Sequence, residues 1–163
     1  MAAKPTFAEV KRRAEQLGKL RLRVGVFGGT EDDGTPLAEV AAIHEFGAPR
    51  ANIPQRSFQR STMRRKRDEI TRVMATQTSA VTMGKKSPAA ALGTVGKYIV
   101  GEIKLTIDSR QTEGPEPQDL KPATIKRKQS RGAGDPTLPL VDTGRMRDAI
   151  THQVDSSIGE DEW

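Results

Sequence analysis

Between Gln59 and Thr106 the apolar residues fall at helical spacing twice, on either side of a break at Met83-Gly84-Lys85-Lys86. Met63, Ile70, Val73, Met74 and Val81 make the first stripe, which predicts one long helix over residues 59–81 with Arg and Lys on its remaining faces. Ser87-Pro88 then supplies a hydroxyl cap and a proline suited to the first helical position. Leu92, Val95, Ile99, Ile103 and Thr106 make the second stripe. Gly93, Gly96 and Gly101 lie inside this second helix, where each costs up to about 1 kcal/mol against alanine. Close packing against the first long helix would explain them, and tolerance at the surface would do so equally well.

Shorter elements flank the pair. Phe7, Val10, Ala14 and Leu17 predict an amphipathic helix over residues 5–18, stopped by Gly18. Leu22, Val24 and Val26 alternate with Arg21, Arg23 and Gly25, a half-buried strand that ends at Gly28-Gly29. Glu31-Asp32-Asp33-Gly34 reads as a turn. Thr35-Pro36 is a helix start, Leu37, Val40, Ala41 and Ile43 give that helix its apolar face, and Gly47 stops it. Pro49 and Pro54 predict an extended arm or edge strand over residues 48–58, anchored by Ile53 and Phe58. Residues 108–137 are poor in apolar side chains and predict a mobile loop, with a single helical turn at Pro122–Lys128. Asp142-Thr143-Gly144 reads as the cap and start of a last helix, and Ile150, His152 and Val154 as a closing strand. The expected fold is α+β in one domain spanning residues 1–163: two long helices and shorter ones packed on a small antiparallel sheet, with an extended arm and a long loop. An acidic tail runs from 155 to 163 and ends in Trp163.

With only 34% hydrophobic and 4% aromatic residues the core is modest, so neighbouring subunits are expected to add stability. There is no cysteine, which excludes disulfides and thiolate metal sites. No apolar run approaches the roughly 20 residues of a membrane helix. No signal-peptide core is present at the N-terminus. The expectation is a soluble chain made in a cytoplasm. The net charge of +6 is unevenly spread: residues 1–23 hold seven Lys/Arg against two Glu, and residues 50–72 hold eight against two acids. That polarity suits DNA nearby, an acidic partner, or head-to-tail packing of identical subunits, and equally a solvated helix face.

Catalytic patterns are weak. Gly25-Val-Phe-Gly-Gly follows a strand but lacks the Gly-Lys-Ser/Thr ending of a phosphate loop, and three acids follow it. His44-Glu45 is no zinc motif, because Ala48 stands where the second histidine would. His152 is the one other histidine, so a metal-dependent hydrolase would need His44 and His152 to meet. Catalytic residues, metal ligands and cofactors are therefore expected to be none. Arg64-Arg65-Lys66-Arg67 is the strongest charge run, and with Arg56 and Arg60 it forms a basic face suited to phosphate contact. Phe58 alone stands nearby as a stacking aromatic, and no base-reading motif accompanies it.

In their order, five pieces of the chain resemble a known family. They are Arg23-Val-Gly-Val-Phe, His44-Glu-Phe-Gly, Ile53-Pro-Gln-Arg-Ser-Phe entering a long helix, Leu120-Lys-Pro-Ala-Thr-Ile-Lys-Arg-Lys, and Leu140-Val-Asp-Thr-Gly-Arg-Met-Arg-Asp-Ala-Ile. Together they span about residues 20 to 155. The set resembles the tail-completion or neck proteins of long-tailed bacteriophages, the family of the lambda minor tail protein Z and the virion-morphogenesis proteins of transposable phages. Two positions depart from its usual pattern: Ser57 stands where proline is favoured, and Met146 where leucine is. The resemblance implies a homo-oligomeric ring, commonly sixfold, in the neck at the top of the virion's tail, assembled in the bacterial host cytoplasm. Its implied partners are the tail terminator or tail tube, the head-completion or connector protein, and genomic DNA passing through the lumen without sequence recognition; no membrane is implied. Carried over to this chain, Phe46, Gly47, Ile53, Pro54 and Phe58 place the arm at an interface. Asp142, Thr143 and Gly144 start the last helix. Arg56, Arg60, Arg64, Arg65 and Arg67 face the DNA lumen or an acidic partner. The alternative, from another class, is a cytoplasmic non-specific nucleic-acid-binding protein using the basic helix 59–72.

Overall fold

A computed structural model describes residues 4–114, 120–130, 132, 135–140 and 144–156. Thr6 opens the first helix, α1 (Phe7–Gly18): its hydroxyl accepts from the Glu9 backbone N–H, and the Glu9 carboxylate accepts in return from the Thr6 N–H at 2.8 Å. This reciprocal pair satisfies donors that a helix start otherwise leaves unpaired. β1 (Leu20–Val26) follows, then α2 (Leu37–Phe46), a 3-10 turn at Pro49–Ala51, α3 (Gln59–Arg65), α4 (Arg67–Thr82), α5 (Pro88–Asp108), α6 (Pro122–Ser130), α7 (Arg145–Asp148) and β2 (Ile150–Ser156). The fold is α+β, with seven helices packed on a small two-stranded antiparallel sheet among the described residues.

The sheet pairs the two ends of this order. Leu20 lies opposite Ser156 and Val26 opposite Ile150. Strand alternation sorts the side chains by face. Leu22, Val24 and Val26 share one face with Ile150, His152 and Val154, while Arg21 and Arg23 share the other with Gln153 and Asp155. The apolar face rests on α5, whose own stripe is buried at Val95, Ile99, Ile103 and Ile107. Phe58, with no exposed surface, joins Leu37, Ala41, Ile70, Met146 and Ile150 in the same core. The glycines of α5 divide. At Gly96 an added Cβ would stand 2.5 Å from the His152 ring, so this glycine lets β2 approach the helix; at Gly101 the same atom would meet open space. The close partner is thus the strand, not the first long helix.

Several expectations need correction. The predicted helix 59–81 is two helices joined by a kink at Lys66, whose ψ of 11° leaves the helical range. The hydroxyls of Ser61 and Thr62 bond back to the Ser57 and Phe58 carbonyls at 2.7 and 2.6 Å, a pattern that bends helices. One turn on, the Lys66 ammonium is drawn to Glu69 and Glu102, at 3.0 and 3.3 Å. Met63 and Met74, expected in the apolar stripe, are exposed. Pro36, not Thr35, is the N-cap of α2. Residues 48–53 are not extended: they close a tight loop in which Ala48 pairs with Ile53 and Asn52 takes a left-handed conformation. Nor are the described parts of 108–137 without structure. Ser57 pairs with Glu113, Arg110 holds Asp135 and Thr137, and α6 runs longer than one turn. The buried Lys128 donates to the Leu138 carbonyl at 2.6 Å. Asp142, Thr143 and the tail from 157 to 163 lie outside the described residues; Gly144, with φ 82°, is the N-cap of α7, and Asp155 belongs to β2.

Candidate functional site

Helix α3 begins without a local capping side chain: Phe58 occupies its N-cap position and makes no side-chain bond there. The missing acceptor comes from α2. The Glu45 carboxylate, 5% exposed, accepts from the backbone N–H groups of Phe58 and Gln59 at 2.9 Å each and of Arg60 at 3.1 Å. It also accepts from the Ser57 hydroxyl at 2.7 Å and the Arg60 guanidinium at 2.9 Å. A carboxylate at a helix N-terminus meets both orphan donors and the positive end of the helix dipole. Burial alone would raise the Glu45 pKa, yet the bonds from Ser57, Gln59 and Arg60 outweigh it and leave the carboxyl below its ordinary value.

The chain around this carboxylate is shaped to deliver it. Gly47 ends α2 with φ 78° and ψ 165°, a region that favours glycine, and a Cβ there would stand 2.9 Å from the Gln55 backbone nitrogen. Arg56 then donates its N–H to the His44 carbonyl at 2.8 Å, and Ser57 exchanges both backbone bonds with Glu113. Proline at 57 could not donate the 2.7 Å bond to the Glu113 carbonyl, so serine here serves a pairing that proline would forbid. The side chain of Arg60 lies over the exposed Phe46 ring at 4.6 Å to its centroid.

Of the arm residues, then, Phe58 is an internal anchor with no exposed surface and is withdrawn as an interface residue. Ile53 and Pro54 are half-buried, Gly47 is the turn, and Phe46 stays exposed. The extended passage is pinned to its own chain and does not project as an arm. Glu45, which holds it, was absent from the predicted site. Its signal was a helix starting at Gln59 with no capping side chain of its own.

The basic face is also narrower than predicted. Arg56 is 5% exposed and cannot face DNA or a partner; its backbone N–H holds the His44 carbonyl near the end of α2. Arg60, Arg64 and Arg65 are exposed along α3 but engaged, Arg60 by Glu45, Arg64 by Glu113 at 3.0 Å, and Arg65 by the Thr106 hydroxyl at 2.8 Å and the Gln111 carbonyl. Arg67 is exposed in the first turn of α4. Behind the kink, Lys66, Glu69, Glu102 and Tyr98 form one polar cluster; the Tyr98 hydroxyl donates to Glu69 at 2.8 Å, and that bond leads in pushing its pKa up to about 12.

His44 lines a cleft of about 160 Å³ with Val40, Thr124, Arg127, Leu140 and Met146. Its Nδ1 has no hydrogen-bond partner among the described residues. Burial, and then the Arg56 charge, press its pKa down to about 4, so the ring is neutral near pH 7. His152 lies elsewhere, its ring against Gly96 of α5. No group of three or more His, Asp or Glu among the described residues is placed to hold a metal ion, and no described helix is long and apolar enough to cross a membrane. Compared with known protein families, curated proteins and solved structures, the chain matches none.

Proposed function

We propose that this chain is a structural protein of the bacteriophage neck, one subunit of a ring that completes the tail and joins it to the head connector in the virion. One observation carries the reading. Two of the five pieces by which the chain resembles tail-completion proteins meet at one mechanical junction: Glu45 of His44-Glu-Phe-Gly holds Ser57 and Phe58 of the Ile53-to-Phe58 piece and Gln59 just after it, Gly47 lets Gln55 pass close by, and together they fix how α2 leads into α3. Those residues serve rigidity, which is what a ring joining two large bodies needs. On this reading the ring acts by surface complementarity with the tail terminator or tube below and the connector above. Exposed Arg64 and Arg67 lie near DNA or an acidic neighbour without reading sequence.

Electron microscopy of lysates from a phage lacking this gene tests the proposal. DNA-filled heads beside separate, full-length tails are expected. Intact infectious virions would refute it. Tight DNA binding by the isolated chain, falling steeply with salt, would then favour the nucleic-acid-binding alternative.

A further inference from the structure

Two strands make a marginal sheet. Here each strand, seven residues long, is paired on one side, and among the described residues neither has a strand partner on the other. An unpaired strand edge presents a row of N–H and C=O groups to any strand that can align with it, and proteins that avoid such pairing interrupt their edges with proline, bulges, very short strands or charges of one sign, the last of which Arg21 and Arg23 give β1 against a like-charged partner but not against an acidic one. Neither β1 nor β2 contains proline, and their register runs unbroken from Leu20–Ser156 to Val26–Ile150.

Packing and charge point the same way. The inward side chains of β1, Leu20, Leu22, Val24 and Val26, are only half-buried against α5, as are His152 and Val154 of β2. α5 packs on both strands, with smaller contacts from α1 and α2 to β1 and from α7 to β2, and these side chains still keep part of their surface open. The outer face is divided by strand: Arg21 and Arg23 on β1, Gln153 and Asp155 on β2, with Arg23 bonded to Asp155 at 2.6 Å inside the subunit. Pairing β1 with β1 of a second copy would set arginines against arginines, and β2 with β2 would bring two Asp155 together. Pairing β1 with β2 repeats across the boundary the charge match already present within the subunit. It also continues the up-and-down alternation, so the sheet stays antiparallel throughout.

We infer that a second copy of this chain docks edge to edge on this sheet, β2 of one subunit beside β1 of the next. Such a head-to-tail contact uses two different surfaces on each copy. Each added subunit therefore carries one open edge forward, and a suitable rotation per step closes the series into a ring. The inference rests on the ring reading above and names the surface that would build it.

Because the native chain has no cysteine, single cysteines report the contact cleanly. The full chain is made as Arg21→Cys and as Asp155→Cys, each alone and both co-expressed, and treated with a short bismaleimide. Gln153→Cys replaces Asp155→Cys should loss of the Arg23 pair lower stability. Sedimentation gives the size of the wild-type assembly. The expected result is an oligomer, with at least a fivefold greater cross-linked yield from the co-expressed pair than from either variant alone. Cross-linking of Arg21→Cys to itself would overturn the inference in favour of a two-fold dimer. An oligomer in which no pair cross-links would overturn it and leave the ring reading standing on other surfaces. A monomer at every concentration would overturn it as well, and the deletion lysate would then decide the ring reading separately.

Discussion

Replacing Glu45 with glutamine removes one charge and almost no volume, which isolates the role of the carboxylate. The five hydrogen bonds divide between its oxygens: Oε1 serves Ser57 and both Arg60 donors, and Oε2 serves the Phe58 and Gln59 N–H groups. An amide offers one acceptor oxygen. Placed toward Phe58 and Gln59 it leaves the Arg60 donors facing an NH₂ group; turned round, it leaves two backbone N–H groups without an acceptor. The Ser57 hydroxyl can rotate to accept, and the Arg60 side chain is half-exposed, so its ion pair is screened and counts for little. What remains in the better of the two orientations is one unsatisfied buried donor, the Arg60 N–H, at about 1–3 kcal/mol, and a weakened helix cap worth about 1. Glu45→Gln should therefore lower the unfolding free energy by about 2–4 kcal/mol, read by urea denaturation, with faster amide exchange at Phe58, Gln59 and Arg60. Because the folded pKa of Glu45 is depressed, its contribution is complete above the ordinary glutamate pKa and disappears as pH falls through the folded value. The variant should show no such loss. A change below about 0.5 kcal/mol, with unaltered exchange at α3, would refute the junction as described.

Three further outcomes are expected. His44, held neutral with a folded pKa of about 4, has an ordinary value of 6.5, so its contribution is present above pH 6.5 and is lost as pH falls toward 4. A stability–pH profile should slope there by up to about 1.4 kcal/mol per unit, and His44→Gln should flatten it. Gly101→Ala fills open space in a helix interior and should raise stability by about 0.5–1 kcal/mol, whereas Gly96→Ala meets the His152 ring and should lower it by about 1–3; equal thermal shifts would mean that β2 does not lie on α5 as described. Arg64→Glu with Arg67→Glu should leave the circular dichroism spectrum unchanged and abolish head–tail joining, and normal infectious particles from that variant would remove the charge from the proposed function.

Local periodicity made much of this fold legible. The stripe of Phe7 to Leu17 belongs to one helix, as does that of α5, and the alternation of Leu22 to Val26 and of Ile150 to Val154 to single strands, so each could be read from neighbours in sequence. What escaped was decided at a distance. The kink at Lys66 has no glycine or proline to mark it; it depends on Glu102, in another helix, and on hydroxyls that bond backward one turn earlier. Arg56 reads as part of a basic run, and only the return of its backbone to the His44 carbonyl turns it inward. Glu45 seemed one more polar residue at a helix end, because its partners are a dozen or more positions away. The loop at 48–53 was misjudged for a different reason: two prolines suggested extension, while Asn52 accepted the left-handed geometry that folds the segment back.

Leu20 meets Ser156 across nearly the whole length of the chain, and this has a kinetic consequence. Contacts within α4 and α5 close short loops and can form early, whereas the sheet must wait for one very long loop to shut. Refolding should therefore be paced by strand pairing, with helical ellipticity recovering ahead of amide protection at Val24 and His152. The order is protective. A lone β1 that met β1 of another chain before β2 arrived would seed the wrong partnership, and a strand that becomes available only when the helices are already seated spends little time exposed. If subunits join edge to edge as proposed, slow closure would act as a timer, so that the sheet recruits only from finished subunits.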